Sequence, residues 1–237
     1  MADFLLIHGS GHGAWAWRDV LPRLRDLGHE ARAIDLPAHG ADRTPLEAVR
    51  LETYRDAVLA ALGDHTLLVG HSMGGYPITA AAEAAPDRVA ALVYLCAYVP
   101  VTGMSLADMR RAGPRQPLAP AIRRSADGLS FTFDPAMARD LFYHDCPDEA
   151  AAFAIGRLCR QPVLPQETPL SETSRTERLR RHYILCEEDR AIPPEYQAHM
   201  CRAFRARDIH RLPTSHSPFL SAPDALVRVL DDIADAS

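Results

Sequence analysis

The pentapeptide Gly70-His71-Ser72-Met73-Gly74, extended by Gly75, narrows the fold more than any other feature of the chain. It has the form G-x-S-x-G. Residues 66–70 read as an apolar strand and residues 73–85 as an alanine-rich helix, so the serine stands on a strand-to-helix turn. A turn this tight leaves no room for a Cβ beside the serine. It also strains the serine backbone and lifts the hydroxyl above the sheet edge. The free N–H groups at the start of the helix favour a nearby oxyanion. Ser72 is therefore expected to be a nucleophile, against the plainer alternative of a buried serine in a glycine-rich turn.

The rest of the chain fits the sheet that such a turn requires. Strands are expected at residues 4–7, 31–36, 66–70, 89–98, 181–186 and 209–212. Helices are expected at 14–27, 51–62, 73–85, 194–204 and 223–234. Strands alternating with helices at this spacing imply an α/β fold, a mostly parallel sheet of about six strands covered on both faces. Residues 100–175 break the rhythm, with many prolines, several aromatics and no strong strand. The expected organisation is a core of residues 1–99 and 176–237 with a helical cap, or lid, inserted at 100–175 over Ser72.

A serine hydroxyl needs a base, and the base needs an orienting carboxylate. His216 lies in the loop between the last strand and the last helix, and is the expected base. His182, His199 and His210 are its rivals, placed on strands or within a helix. Asp189 follows the strand at 181–186 and is the expected acid, with Glu187 and Glu188 as alternatives at the same strand end. Nucleophile, acid and histidine then come in the chain order of a nucleophile-elbow hydrolase. The glycine-rich loop His8-Gly9-Ser10-Gly11-His12-Gly13 follows the first strand. With the N–H of Met73, the N–H of Ser10 is expected to complete an oxyanion hole. The loop does not match G-x-G-x-x-G, and no acidic residue about 20 positions on closes a second strand, so a dinucleotide site is disfavoured. His12, Trp15, Tyr98 and Phe142 are the pocket candidates.

Composition removes other classes. The 237 residues include 26 Lys+Arg against 31 Asp+Glu, a net charge of −5 with no basic block, which suits no nucleic-acid binder. Every basic residue is arginine, and asparagine is absent too. Both missing residues have A-rich codons, which points to a GC-rich bacterial genome. Without lysine there is no Schiff-base lysine, P-loop lysine or Ser-Lys dyad. Five cysteines, with no C-x-x-C, fit free thiols in a reducing compartment. The start, MADFLLIHG, has no basic n-region and only a short apolar run. No stretch approaches the length of a membrane span. A cytoplasmic protein without membrane contact, metal or cofactor is expected.

Taken together, these pieces resemble the plant methylesterase and hydroxynitrile-lyase group of α/β-hydrolases. The resemblance rests on the run from His8 to Trp17, on Gly28-His29 and Ala33-Ile34-Asp35-Leu36, on the Ser72 motif, and on Glu188-Asp189-Arg190-Ala191-Ile192-Pro193-Pro194-Glu195-Tyr196-Gln197. It implies an α/β-hydrolase fold with a cap, a homodimer, and hydrolysis of small esters of aromatic or hormone-like acids such as methyl salicylate. It also selects Asp189 independently. The chain departs from the group at Gly11, where cysteine is frequent, around His216, which reads Ser-His-Ser-Pro-Phe in place of Asp-His-Met, and in a shorter lid. The lyase branch has a threonine after the first-strand histidine and a lysine after the catalytic one. Here those positions are Gly9 and Ser217, which disfavours cyanohydrin cleavage. Relatives resembling methylketone synthase have lost triad members that this chain keeps. A ligand receptor with little or no turnover is the alternative from another class, and a turnover number separates the two.

Overall fold

The computed structural model describes residues 1–236. In chain order the first part contains β1 (Asp3–Ile7), α1 (Leu21–Asp26), β2 (Glu30–Ile34), α2 (Leu51–Ala61), β3 (Thr66–His71), α3 (Gly75–Ala84) and β4 (Val89–Leu95). An inserted segment follows, with α4 (Leu106–Ala112), β5 (Ile122–Arg124), β6 (Ser130–Phe133), α5 (Pro135–Phe142), α6 (Asp148–Ile155), β7 (Gln161–Pro162) and α7 (Leu164–Glu167). The last part contains β8 (Arg181–Cys186), α8 (Pro194–Met200), β9 (Ile209–Leu212), α9 (Pro218–Ser221) and α10 (Pro223–Asp235).

Six strands form one parallel sheet in the order β2-β1-β3-β4-β8-β9. Successive side chains enter opposite cores, which is why the inner strands β1, β3 and β4 carry long apolar runs. Phe4, Leu6, Leu67, Val69 and Val93 pack with Trp17, Leu226 and Leu230 on one face. Leu5, Ile7, Leu68, Leu92 and Tyr94 pack with Tyr54, Val58 and Ile78 on the other. The chain goes from β1 outward to β2, then returns to the other side of β1 as β3. The ends of β1 and β3 therefore border the crevice where strand order reverses, the position at which open parallel sheets bind ligands.

Two expectations need correction. The helix expected at 14–27 is split into a 3-10 turn, Ala14–Trp17, and α1. Pro22 has no N–H and would crowd the carbonyl four residues earlier, so one continuous helix cannot form. The inserted segment is also not purely helical: β5, β6 and β7 form an antiparallel three-stranded sheet. It packs into the first core through Phe131, Phe133, Leu141, Phe142 and Tyr143. Among the described residues no helix is long and apolar enough to cross a membrane.

Candidate active site

β3 ends at His71, and the chain passes through a 3-10 turn, Ser72–Gly74, into α3. Ser72 has a φ of 55°, a conformation that residues with a Cβ rarely adopt. Contact explains the flanking glycines. A Cβ at Gly70 would stand 2.5 Å from the Gly74 carbonyl oxygen, and one at Gly74 would stand 2.8 Å from the Ile7 carbonyl oxygen. Met73 is the second residue of the turn, so its N–H has no acceptor within it.

The loop after β1 lies directly against this turn, because a Cβ at Gly9 would be 3.0 Å from the Ser72 Cβ. The inserted segment holds the loop's other side. Gln166 Nε2 donates to Ser10 Oγ at 2.6 Å, and the Gly11 N–H donates to Gln161 Oε1 at 3.2 Å. The Tyr143 hydroxyl donates to His12 Nε2 at 2.7 Å, and His12 Nδ1 donates to the Ser10 carbonyl at 2.8 Å. These two bonds suit the neutral Nδ1–H tautomer. Burial agrees, pushing His12 down to about 4.

His216 occupies the loop between β9 and α9. Its Nδ1 donates to Asp189 Oδ2 at 2.7 Å, leaving Nε2 as the remaining ring nitrogen. Asp189 sits just past the end of β8, with its side chain fully buried. A buried carboxylate requires donors. Asp189 Oδ1 accepts the N–H groups of Ala191 and Ile192 at 2.7 and 2.8 Å, and Oδ2 also accepts from Gln197 Nε2 at 2.9 Å. Glu187 and Glu188, the rival acids, are exposed. His182 and His210 face each other at 3.2 Å on β8 and β9, and His199 is exposed.

The His216 backbone is fixed from two directions. His71 Nε2 donates to the His216 carbonyl at 2.9 Å, and Cys96 Sγ does so at 3.5 Å. Burial holds His71 well below the ordinary imidazole range, so it acts as a neutral donor. From the inserted segment, Asp145 Oδ2 accepts the Ser215 N–H at 2.8 Å, and the Phe142 carbonyl accepts Ser215 Oγ at 3.2 Å. His71, Cys96 and His216 are the one trio of potential metal donors among the described residues, with ligating atoms within 4.8 Å. The bonds just described already engage His71 Nε2, Cys96 Sγ and His216 Nδ1 in positioning the histidine.

A tight cavity, with about 20 Å³ open to the centre of a water-sized sphere, brings Ser10, His12, Ser72, Tyr98, Phe142 and His216 together. The inserted segment closes it with Leu106, Arg110, Leu118, Phe131, Phe133 and Gln166. Ser72 is only 8% exposed. Trp15 lies outside the lining and stacks on His12 at 5.2 Å. His71, Gln166, Gln197 and Arg110 also belong to the site and are not among the residues expected from the sequence. His71 stands inside the nucleophile motif and Gln197 inside the late matching run, whereas nothing local marks Gln166 or Arg110.

A β1-loop, a nucleophile turn after β3, an acid after β8 and a histidine after β9 are the arrangement of an α/β hydrolase. The alpha/beta hydrolase family matches residues 4–229, and the chain belongs to it. It is 31% identical to Esterase PIR7B of Oryza sativa subsp. japonica, over 98% of this chain and 95% of that one. It is 30% identical to Methylesterase 7 of Arabidopsis thaliana, over 98% and 96%. Among solved structures it is similar to a pyrethroid hydrolase from Sphingobium faniae JZ-2, with a TM-score of 0.89, 29% identity, and coverage of 99% and 98%.

Proposed function

We propose that the chain is a carboxylic ester hydrolase acting by acyl transfer to Ser72. The observation that carries this reading is the pairing of His216 Nδ1 with Asp189 Oδ2 at 2.7 Å in a cavity that Ser72 and His216 both line. His216 removes the Ser72 proton as Oγ attacks the ester carbonyl, and Asp189 holds the imidazole and stabilises its charged form. The Ser10 and Met73 N–H groups receive the oxyanion, each contributing about 3 kcal/mol to the transition state. His216 then protonates the departing alcohol and activates the water that frees the acid.

The phenylalanines and leucines of the cavity suit a small apolar acyl group, and the methylesterase relatives support a small alcohol part. Salicylate and related methyl esters are therefore the first substrates to examine. The free cysteines support a reducing, cytoplasmic setting, and the methylesterase resemblance supports a homodimer. The test is a panel of p-nitrophenyl and methyl esters, methyl salicylate included, with wild type and Ser72→Ala. Loss of turnover by about 10⁴-fold in the folded variant supports the reading. Turnover within about tenfold of wild type removes Ser72 from the mechanism.

A further inference from the structure

Among the described residues, Arg110 is the one arginine on the wall of the cavity. It sits on α4, half-buried, and lines the same space as Ser72. Other arginines of the inserted segment have carboxylate partners: Arg111 has Asp108, Arg115 has Glu195 and Arg124 has Glu167. Among the described residues Arg110 has neither an ion-pair partner nor a side-chain hydrogen bond. Burial works against its charge, and the one carboxylate near enough to favour that charge, Glu167, is already bonded to Arg124 at 2.7 Å. A half-buried guanidinium without a counter-charge costs stability, and an anion bound beside it in the cavity offsets that cost.

One further polar group on the lining is unmatched. Tyr98 is 4% exposed, and its hydroxyl has no hydrogen-bond partner among the described residues. It lies close enough to Arg110 for the two to interact electrostatically. The cavity thus offers a guanidinium fork and a phenol O–H, both donors, against walls of Leu106, Leu118, Phe131 and Phe133.

We propose that Arg110, with Tyr98, forms a subsite for a second, ionised carboxylate on the substrate, so that the preferred substrates are half-esters of small dicarboxylic acids. The inference rests on ester hydrolysis at Ser72 and names the substrate class of that site. The planar guanidinium takes a carboxylate through two parallel N–H donors, a geometry a neutral ester group reproduces poorly. A neutral ester leaves the buried donors unpaired, and sites built on hydrogen bonding discriminate strongly against such analogues.

The test compares the monomethyl and dimethyl esters of the same short straight-chain dicarboxylic acids at neutral pH. It uses wild type, Arg110→Met and Arg110→Lys, and it reads the half-ester to diester ratio of kcat/KM. Wild type is expected to favour the half-ester by about ten- to hundredfold. Arg110→Met should collapse that ratio, and Arg110→Lys, which keeps the charge and loses the fork, should give an intermediate one. A purely structural role for Arg110 lowers both rates and leaves the ratio unchanged, which overturns the proposal. Equal or better hydrolysis of the diester by wild type overturns it while ester hydrolysis stands. If wild type hydrolyses neither of these esters and no ester of the wider panel, both readings are overturned.

Discussion

Gln197 donates from Nε2 to Asp189 Oδ2 at 2.9 Å, the same oxygen that receives His216 Nδ1 at 2.7 Å. The carboxylate is thus aimed at the histidine by α8 as well as by its own loop. Gln197 Oε1 also accepts the Cys186 N–H at 3.1 Å, and Nε2 reaches the Ile192 carbonyl at 2.8 Å, so this one amide joins the end of β8 to the acid loop.

Gln197→Leu keeps the volume and removes all of these bonds. Stranding a buried N–H and a carbonyl should cost about 2–4 kcal/mol of stability. Loosening Asp189 should lower kcat about tenfold with little change in KM. Urea unfolding and steady-state kinetics read the two effects separately, and a variant with wild-type kcat would show that Gln197 does not position the acid.

Asp145→Ala should act on the histidine from the opposite side. The Ser215 N–H loses a carboxylate acceptor, a charge-assisted bond worth about 1.5–3 kcal/mol. The expected result is a several-fold fall in kcat, largely restored in Asp145→Asn, whose amide oxygen can still accept. Equal losses in both variants would mean that the charge of Asp145, and not its grip on Ser215, matters.

Stability should fall as the solution is acidified below about pH 6.5. Burial holds His8, His12, His39 and His71 below the ordinary imidazole range, with His12 at about 4. When the chain unfolds these rings regain their ordinary affinity for protons, so in acid the unfolded state binds protons that the folded state refuses. Their shared effect is absent above about pH 7 and grows by up to about 1.4 kcal/mol per pH unit per histidine, until each folded value is reached. Urea midpoints at about pH 7, 6 and 5 should decline in that order, and a constant midpoint contradicts buried neutral histidines.

Gly70→Ala should be among the most damaging single-methyl additions in the chain. The new Cβ meets the Gly74 carbonyl oxygen at 2.5 Å and its carbon at 2.7 Å, both backbone atoms that cannot rotate away. A loss of about 3 kcal/mol or more is expected, read as a lower melting temperature and reduced soluble yield. A variant as stable as wild type would mean that the turn has slack.

Much of this was legible in the sequence, for identifiable reasons. β8 and β9 have the bounds expected from the sequence at 181–186 and 209–212, and β8, an inner parallel strand, is buried from His182 onward because neither of its faces meets water. Ser72 and Asp189 follow strand ends and His216 precedes a helix, so local pattern sufficed to place them. The sheet in the inserted segment was not legible, since strands of three, four and two residues show no period. Nor were the partners of the loop after β1: Tyr143 and Gln166 reach His12 and Ser10 across 131 and 156 residues of sequence. Trp15 reads as a pocket aromatic by type, but it turns its ring to the back of His12.

The insertion point of the middle segment bears on how such a chain can diversify. Ser72 precedes the insertion, whereas Asp189 and His216 follow it in loops that leave strands of the main sheet, so the insertion can lengthen, shorten or change its lining without shifting the register of the three. Arg110, Leu118 and Phe131 are free to drift towards other substrates. Gln161, Gln166, Tyr143 and Asp145 are not, because each also grips a loop on which the chemistry depends. New specificities in this scaffold should therefore arise first on α4 and the segment leading into β5, while the stretch from the end of α5 to α7 changes slowly.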